Sequence, residues 1–408
     1  MPEHALALVQ CRRPRRVAVS FQLLDELAQT LVAREAEGLH RQRRVIDSPQ
    51  RPRLAVDGRE MLHFGSNDYL GLANDPRLIA AVKEGAERYG VGAGASHLIS
   101  GHGAAHEGLE HELGEWVAPC APAAALLFST GYMANLGVVT ALVDRDDAVF
   151  ADKLNHACLN DAALLSRAEF IRYPHGDVAH LARRLEASNA RRKLICTDAV
   201  FSMDGDLAPL PRLLELANAH GAWLVVDDAH GFGVLGEGRG TLAHYGLASE
   251  RIVYMGTLGK AAGVAGAFVA AHPTVIATLV QTARPYIFTT AAPALLACAL
   301  RASLAIIRDE PARRAHLAAL IQRWRSVSAD LPWRQLSSET TIQPLVLGEN
   351  VEALRVSQAL WERGIWVPAI RPPTVPRGSA RLRITLSAAH TNDDIDVLAA
   401  ALHEIAAG

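Results

Sequence analysis

The sequence predicts an α/β fold built on a mostly parallel sheet with helices on both faces. Three observations carry that expectation. From about residue 123 the chain alternates between short apolar runs and helical patterns, the order expected of strands joined by crossover helices. Several of the runs are apolar at every position rather than at alternate ones, which suits strands covered on both sides. The chemically suggestive residues fall just after these runs, where ligands sit in such sheets. The composition agrees: 408 residues, half of them hydrophobic and 21% charged, provide ample material for a core.

The elements follow in order. Residues 1–20 contain CRRPRR, four arginines around a proline with no apolar segment behind them. This is not a secretory signal and reads as a disordered arm. A segment at 21–60 follows. LLDELAQTLVAREAEGLHRQRR has helical apolar spacing and then turns basic, predicting an amphipathic helix and a linker. FGSNDYLGLAND is rich in turn residues, PRLIAAVKEGAERYG predicts a helix, and GVGAGASHLISGHGAAHEGLE is glycine-rich. A large α/β domain is placed at 61–285. Its strands are AALLF, AVFAD, EFIRY, KLICTDAV, AWLVVDD, RIVYMGT and AGAFVAA, with LPRLLELANAHG among the helices between them. Near Tyr286 the alternation stops. A C-terminal α+β domain is placed at 286–408, with two long helices and then strands at IQPLVLG, IWVPAI and RLRITLS.

The formal net charge of −2 gives no global argument for nucleic acid or a membrane surface, and no run approaches the ~18 apolar residues of a membrane span. Cys11, Cys120, Cys158, Cys196 and Cys298 are scattered, without a CxxC pair or metal spacing, so a reduced cytoplasmic setting and no metal are expected.

Lys260 is the most informative residue. It lies in TLGKAAGVAGAF, directly after a buried strand, where small residues let the backbone and a flat ligand approach the amine. Apolar surroundings lower a lysine pKa, leaving a neutral nucleophile able to form a Schiff base. Upstream, VVDDAHGFG ends another buried strand with Asp227 and His230. A carboxylate there can hold a pyridine nitrogen protonated. STGYMAN, after AALLF, sets small and hydroxyl residues at a strand-to-helix junction that can bind phosphate through free backbone N–H groups. His156, after the next strand, either lies on an aromatic ligand or simply satisfies its own loop.

Taken together, FGSNDYLGLA, SGHGAAHEGLE, STGYMAN, DKLNHACL, FSMDGDLAPL, VDDAHGFGVLGEGRG, TLGKAAGVAGAF and RPPTVPRGSARLRITLSAAH make the chain, from Phe21 to its end, resemble the α-oxoamine synthases. The resemblance implies a fold type I enzyme dependent on pyridoxal 5′-phosphate and acting as a homodimer. It implies that Lys260 carries the cofactor, Asp227 pairs with its ring nitrogen, and Ser202 and His230 hold its phenolic oxygen. His156 would lie on the ring face, Gly131 and Tyr132 would contribute to the cofactor pocket at the helix start, and Thr257 would bind the phosphate. Thr289 and Thr290 would reach a partner subunit's phosphate. Arg383 would bind the amino-acid carboxylate, and Asn67, Thr374 and Arg41 would contact substrate, with Arg43 and Arg44 as alternatives to Arg41. Lys260, His156 and Asp227 would be the catalytic set.

Within the family, RPPTVP and ARLRITLSAAH are most similar to the members that join L-alanine to a pimeloyl thioester, carried by CoA or by acyl carrier protein, with loss of carbon dioxide. Sister enzymes that take glycine or serine with other acyl chains share this chemistry. An ordinary aminotransferase of the same fold would instead make pyruvate from alanine.

Overall fold

The computed structural model describes residues 22–408; the arm expected at 1–20 lies outside the described residues. The described chain forms two units, one ending at Arg43 and one running Arg44–Gly408. The first contains the helix α1 (Gln22–Ala36), whose leucines at 23, 24, 27 and 31 are exposed.

The second unit opens with a hairpin, β1 (Arg53–Val56) and β2 (Arg59–His63), followed by helices α2 (Pro76–Tyr89) and α3 (Ala104–Val117). The Asp75 carboxylate caps α2 by accepting from the Arg77 N–H, and proline fills its first turn, where a missing N–H costs nothing. The alternating region then runs β3 (Ala124–Phe128), α4 (Gly131–Leu142), β4 (Ala148–Asp152), α5 (Ala157–Ser166), β5 (Glu169–Tyr173), α6 (Val178–Glu186), β6 (Lys193–Asp198), α7 (Leu210–Ala219), β7 (Trp223–Asp227), α8 (Thr241–His244), β8 (Ile252–Thr257) and β9 (Ala267–Ala271). Helices α9 (Pro273–Thr282), α10 (Arg284–Ile287), α11 (Ala294–Asp309) and α12 (Pro311–Val327) follow. The remainder is β10 (Arg334–Gln335), β11 (Ile342–Gly348), α13 (Asn350–Glu362), β12 (Ile365–Trp366), β13 (Ala369–Ile370), β14 (Ala380–Thr385) and α14 (Asn392–Ala407).

The central sheet has the order β3-β9-β8-β7-β6-β4-β5. Its pairings are parallel except where β9 lies antiparallel between β8 and β3. Because successive side chains point to opposite faces, each strand feeds two cores. Leu127, Ile195, Val226 and Tyr254 join one, and Leu126, Cys196, Val225 and Met255 join the other. This is the expected sheet, buried on both faces.

IWVPAI, expected as one strand, is two. Ile365–Trp366 runs parallel to β2, and Ala369–Ile370 pairs with β14 in the antiparallel sheet β10-β11-β14-β13. Pro368 lies between them, and a residue without an N–H cannot continue a ladder. The break lets one segment stitch two sheets together.

Candidate active site

Five parallel strands deliver their C-terminal ends to one cavity of about 220 Å³. Gly131 and Tyr132 come from the turn after β3, His156 and Cys158 from the turn after β4, and Asp198 and Ser202 from the end of β6. Asp227, Ala229 and His230 come from β7, and Met255, Thr257 and Lys260 from β8. Two glycines make the turns fit. A Cβ on Gly233, at φ +82°, would stand 2.7 Å from the Ala261 Cβ, so the His230 turn lies directly against the Lys260 turn. A Cβ on Gly263, at φ +71°, would stand 2.6 Å from the Ala73 nitrogen, so the same turn abuts the 64–75 segment.

At one end of the cavity α4 begins. Thr130 caps it, its hydroxyl accepting from the Met133 N–H at 3.2 Å. The N–H groups of Gly131 and Tyr132, the first two of the helix, have no intrahelical acceptor and favour an anion. The Tyr132 hydroxyl bonds to the Asp161 carboxylate, and the residue is 42% exposed. Thr257 is buried beside this end and donates its hydroxyl to the Gly266 carbonyl at 3.2 Å.

Deeper in, the Asp227 carboxylate is held from both sides. The Asn135 amide donates to Oδ2 at 2.6 Å and the Ala229 N–H donates to Oδ1 at 3.0 Å. Asn135 is fully buried, and its own amide oxygen has no partner. The Cys158 thiol lies 2.9 Å from Nδ1 of His156, which also accepts the Cys158 N–H at 3.3 Å. The His156 N–H donates to Asp198 at 3.1 Å. Burial, and then the neighbouring Asp227, push Asp198 well above the usual carboxylate range.

The Lys260 amine lies 2.9 Å from Nε2 of His230, and Nδ1 of the same ring lies 2.5 Å from the Tyr69 hydroxyl. Burial lowers Lys260 to about 8, with Asp227 opposing and Arg383 assisting. Burial, together with Lys260 and Arg383, also drives His230 well below its ordinary value and keeps it neutral. Arg383, buried on β14, donates to the Ser202 carbonyl at 2.6 Å, the Asn67 side-chain oxygen at 3.2 Å and the Thr385 hydroxyl at 3.0 Å. Arg381, two residues earlier, pairs with Asp204 and donates to the Met203 carbonyl at 3.0 Å. The two arginines thus fasten the Ser202 loop to the C-terminal sheet.

Eight expected residues line the cavity: Gly131, Tyr132, His156, Ser202, Asp227, His230, Thr257 and Lys260. Asn67 and Arg383 adjoin it through Ser202. Thr374 is exposed in the turn after Arg371 and does not line the cavity. Arg41 is an exposed residue of the first unit. Asn135, Cys158, Asp198 and Tyr69 are additions to the expected set. Asn135 follows Gly131 by one helical turn, and Asp198 ends a strand as Asp227 does, so both had a positional signal. Tyr69 had none.

The donor set fits pyridoxal 5′-phosphate. It combines a lysine of lowered pKa, an anion cradle at a helix start, a buried carboxylate with two donors already fixed, and an imidazole on the wall between them.

The aminotransferase class I and II family matches residues 59–402. The chain is 60% identical over 392 residues to 8-amino-7-oxononanoate synthase of Nitrosomonas europaea, covering 94% of this chain and 100% of that one. It is 61% identical to the enzyme of that name from Nitrosospira multiformis, covering 95% and 97%. Among solved structures, serine palmitoyltransferase from S. paucimobilis with a bound PLP–myriocin aldimine superposes with a TM-score of 0.87 at 29% identity, covering 94% and 97%. The 8-amino-7-oxononanoate synthase of Francisella tularensis gives 0.73 at 29%, covering 85% and 97%. The chain belongs to the class I and II aminotransferases, and within them to the 8-amino-7-oxononanoate synthase family.

Proposed function

We propose that this chain makes 8-amino-7-oxononanoate by condensing L-alanine with a pimeloyl thioester, CoA or acyl carrier protein being the carrier, and releasing carbon dioxide and the thiol. The observation that carries the reading is the convergence of Lys260, Asp227 and the α4 start on one cavity, with Arg383 beside it. The bound cofactor supplies an electron sink for negative charge at the alanine α-carbon.

The side chains divide the remaining work. Asp227 would hold a proton on the ring nitrogen, and its geometry supports this because Asn135 and Ala229 fix both of its oxygens. Gly131, Tyr132 and Thr257 would hold the phosphate. His156 would stand against the ring face, and Ser202 and His230 would hold the phenolic oxygen. Lys260 would hold the cofactor, and its free amine would take the α-proton at Nζ, for which a pKa near 8 suits a general base. Arg383 holds the alanine carboxylate through its guanidinium. That grip fixes the α-carbon beside Lys260 until the carboxylate leaves as carbon dioxide. Asn67 and Thr374 would contact substrate.

We place the enzyme in the cytoplasm, as a homodimer. No helix among the described residues is long and apolar enough to cross a membrane. Leu98, Ile99 and Phe288 are exposed on either side of the Ser96–Thr290 bridge, as a subunit contact that brings Thr289 and Thr290 to a neighbour would need. The test is to supply L-alanine and pimeloyl-CoA or pimeloyl-acyl carrier protein and to assay product and carbon dioxide. Turnover with alanine, abolished in Lys260→Ala, supports the reading. Turnover only with glycine or serine moves the chain to a sister activity, and substantial activity in Lys260→Ala overturns it.

A further inference from the structure

Four contacts form a chain that the reading above leaves without a role: Lys260 to His230, His230 to Tyr69, Tyr69 to Asn67, and Asn67 to Arg383. The distances are 2.9, 2.5, 3.2 and 3.2 Å. Tyr69 is fully buried, and its hydroxyl lies between the inner ring nitrogen of His230 and the side-chain oxygen of Asn67. We propose that Tyr69 is a positioning residue: its hydroxyl turns between His230 and Asn67 and so lets His230 change tautomer as Lys260 gains or loses its proton.

The proton bookkeeping closes in both states. When Lys260 is a neutral amine, the Nε2–H of His230 donates to it, and the Tyr69 O–H donates to Nδ1. When Lys260 is an ammonium, its N–H donates to Nε2. The ring proton then sits on Nδ1 and donates to the Tyr69 oxygen, and the Tyr69 O–H turns to the Asn67 oxygen. Every ring N–H of His230 and the Tyr69 O–H has an acceptor in each state, and His230 stays neutral throughout. That matters in a buried site, where an N–H without an acceptor is rare and costly. The chain also ends on Arg383, so the carboxylate site and the lysine share one hydrogen-bond path.

The other charged or titratable groups facing Lys260 are Asp227, Arg383, Asp198 and Cys158, and His230 also faces His156. None of these can take the role of Tyr69, because the Tyr69 hydroxyl is the group bonded to Nδ1. The inference rests on the reading of Lys260 as the proton-carrying base.

The test uses the full-length protein stripped of cofactor. Amine acylation is measured at Lys260 by peptide mass spectrometry across a pH series, with Lys83, Lys153 and Lys193 as internal references. The wild-type Lys260 midpoint is expected near 8. In Tyr69→Phe the charged state leaves the Nδ1–H of His230 without an acceptor, whereas the neutral state leaves only an unused lone pair. The midpoint should therefore fall by about half a unit to one unit, the equivalent of one net hydrogen bond. Asn67→Ala, which keeps Tyr69 but removes the acceptor of the charged state, should lower it by a smaller step. It carries the test if the phenylalanine variant does not fold. A merely structural loss would lower the extent of labelling at Lys260 without moving its midpoint. An unmoved or raised midpoint overturns the relay. The two readings fail separately. Turnover by Lys260→Ala would sink the proposed function while the labelling result on Tyr69 stood, and an inert Lys260→Ala beside an unmoved midpoint would sink only the relay.

Discussion

Replacing Asn135 with leucine tests how far the Asp227 carboxylate depends on its buried support. The amide nitrogen donates to Oδ2 of Asp227 at 2.6 Å from a fully buried position on α4. Leucine keeps the branched shape and the number of heavy atoms but puts a methyl group where that donor was. A hydrogen bond to a charged group contributes about 1.5–3 kcal/mol, and a tenfold change corresponds to about 1.4 kcal/mol. The variant should therefore lose about 10- to 150-fold in cofactor affinity, in kcat, or in their product. Global stability should change much less, because the substitution also removes an amide oxygen that has no partner. Fluorescence titration of the cofactor-free variant gives the dissociation constant, a product assay at saturating cofactor gives kcat, and a thermal melt gives stability. Affinity and kcat both within about twofold of wild type, less than even one such bond is worth, would refute the idea that Asn135 supports Asp227. A large loss of melting temperature with unchanged affinity would assign Asn135 to packing alone.

Three further outcomes are expected. His175 lies between Asp152 and Asp206 at 3.0 and 2.8 Å; burial opposes its charge, but the two carboxylates outweigh burial and raise it to about 10. A raised value makes its stabilisation complete below the unfolded-state value of about 6.5 and lost as pH climbs towards 10, so His175→Gln should cost about 2–4 kcal/mol at pH 6 and little at pH 10 in urea melts. His63, stacked on Trp366 at 4.4 Å with its Nδ1 unpartnered, is pushed down to about 4 by burial and by His390. The unfolded chain binds that proton first, so stability falls as pH drops from about 6.5 to 4, by up to about 3 kcal/mol. His63→Phe should flatten that part of the acid-unfolding curve. Gly205, at φ +76°, sits where a Cβ would press on the Ile342 carbonyl and the Ser338 hydroxyl. Gly205→Ala should destabilise by about 2 kcal/mol or more and loosen the Ser202 loop, read as a lower melting temperature and weaker cofactor binding.

The α/β class, the mostly parallel direction of the central strands and the residues at their C-terminal ends were legible in the sequence by itself. These are local properties. Apolar runs such as WLVV and IVYM are short enough to be strands and apolar enough to be covered on both faces, and the next residues then necessarily stand at the sheet's open edge. Asp227, His230, Thr257 and Lys260 could be placed for that reason. The limits of IWVPAI were missed because a proline that breaks a ladder can also pass one segment between two sheets, and only the positions of β2 and β14 decide which occurs.

Tertiary structure alone decided the support around those side chains. Tyr69 and Lys260 are far apart in sequence, in segments with different local patterns, and meet through His230 because the Gly263 turn packs on the 64–75 segment. The contact of Asn135 with Asp227 requires α4 and β7 to be neighbours, which no spacing within STGYMAN states. The pKa values of Lys260 and Asp198 likewise follow from what each is buried against. A strand end is fixed by the pattern of its own residues. Hydrogen-bond partners and electrostatic surroundings are sums over groups that only the folded chain brings together.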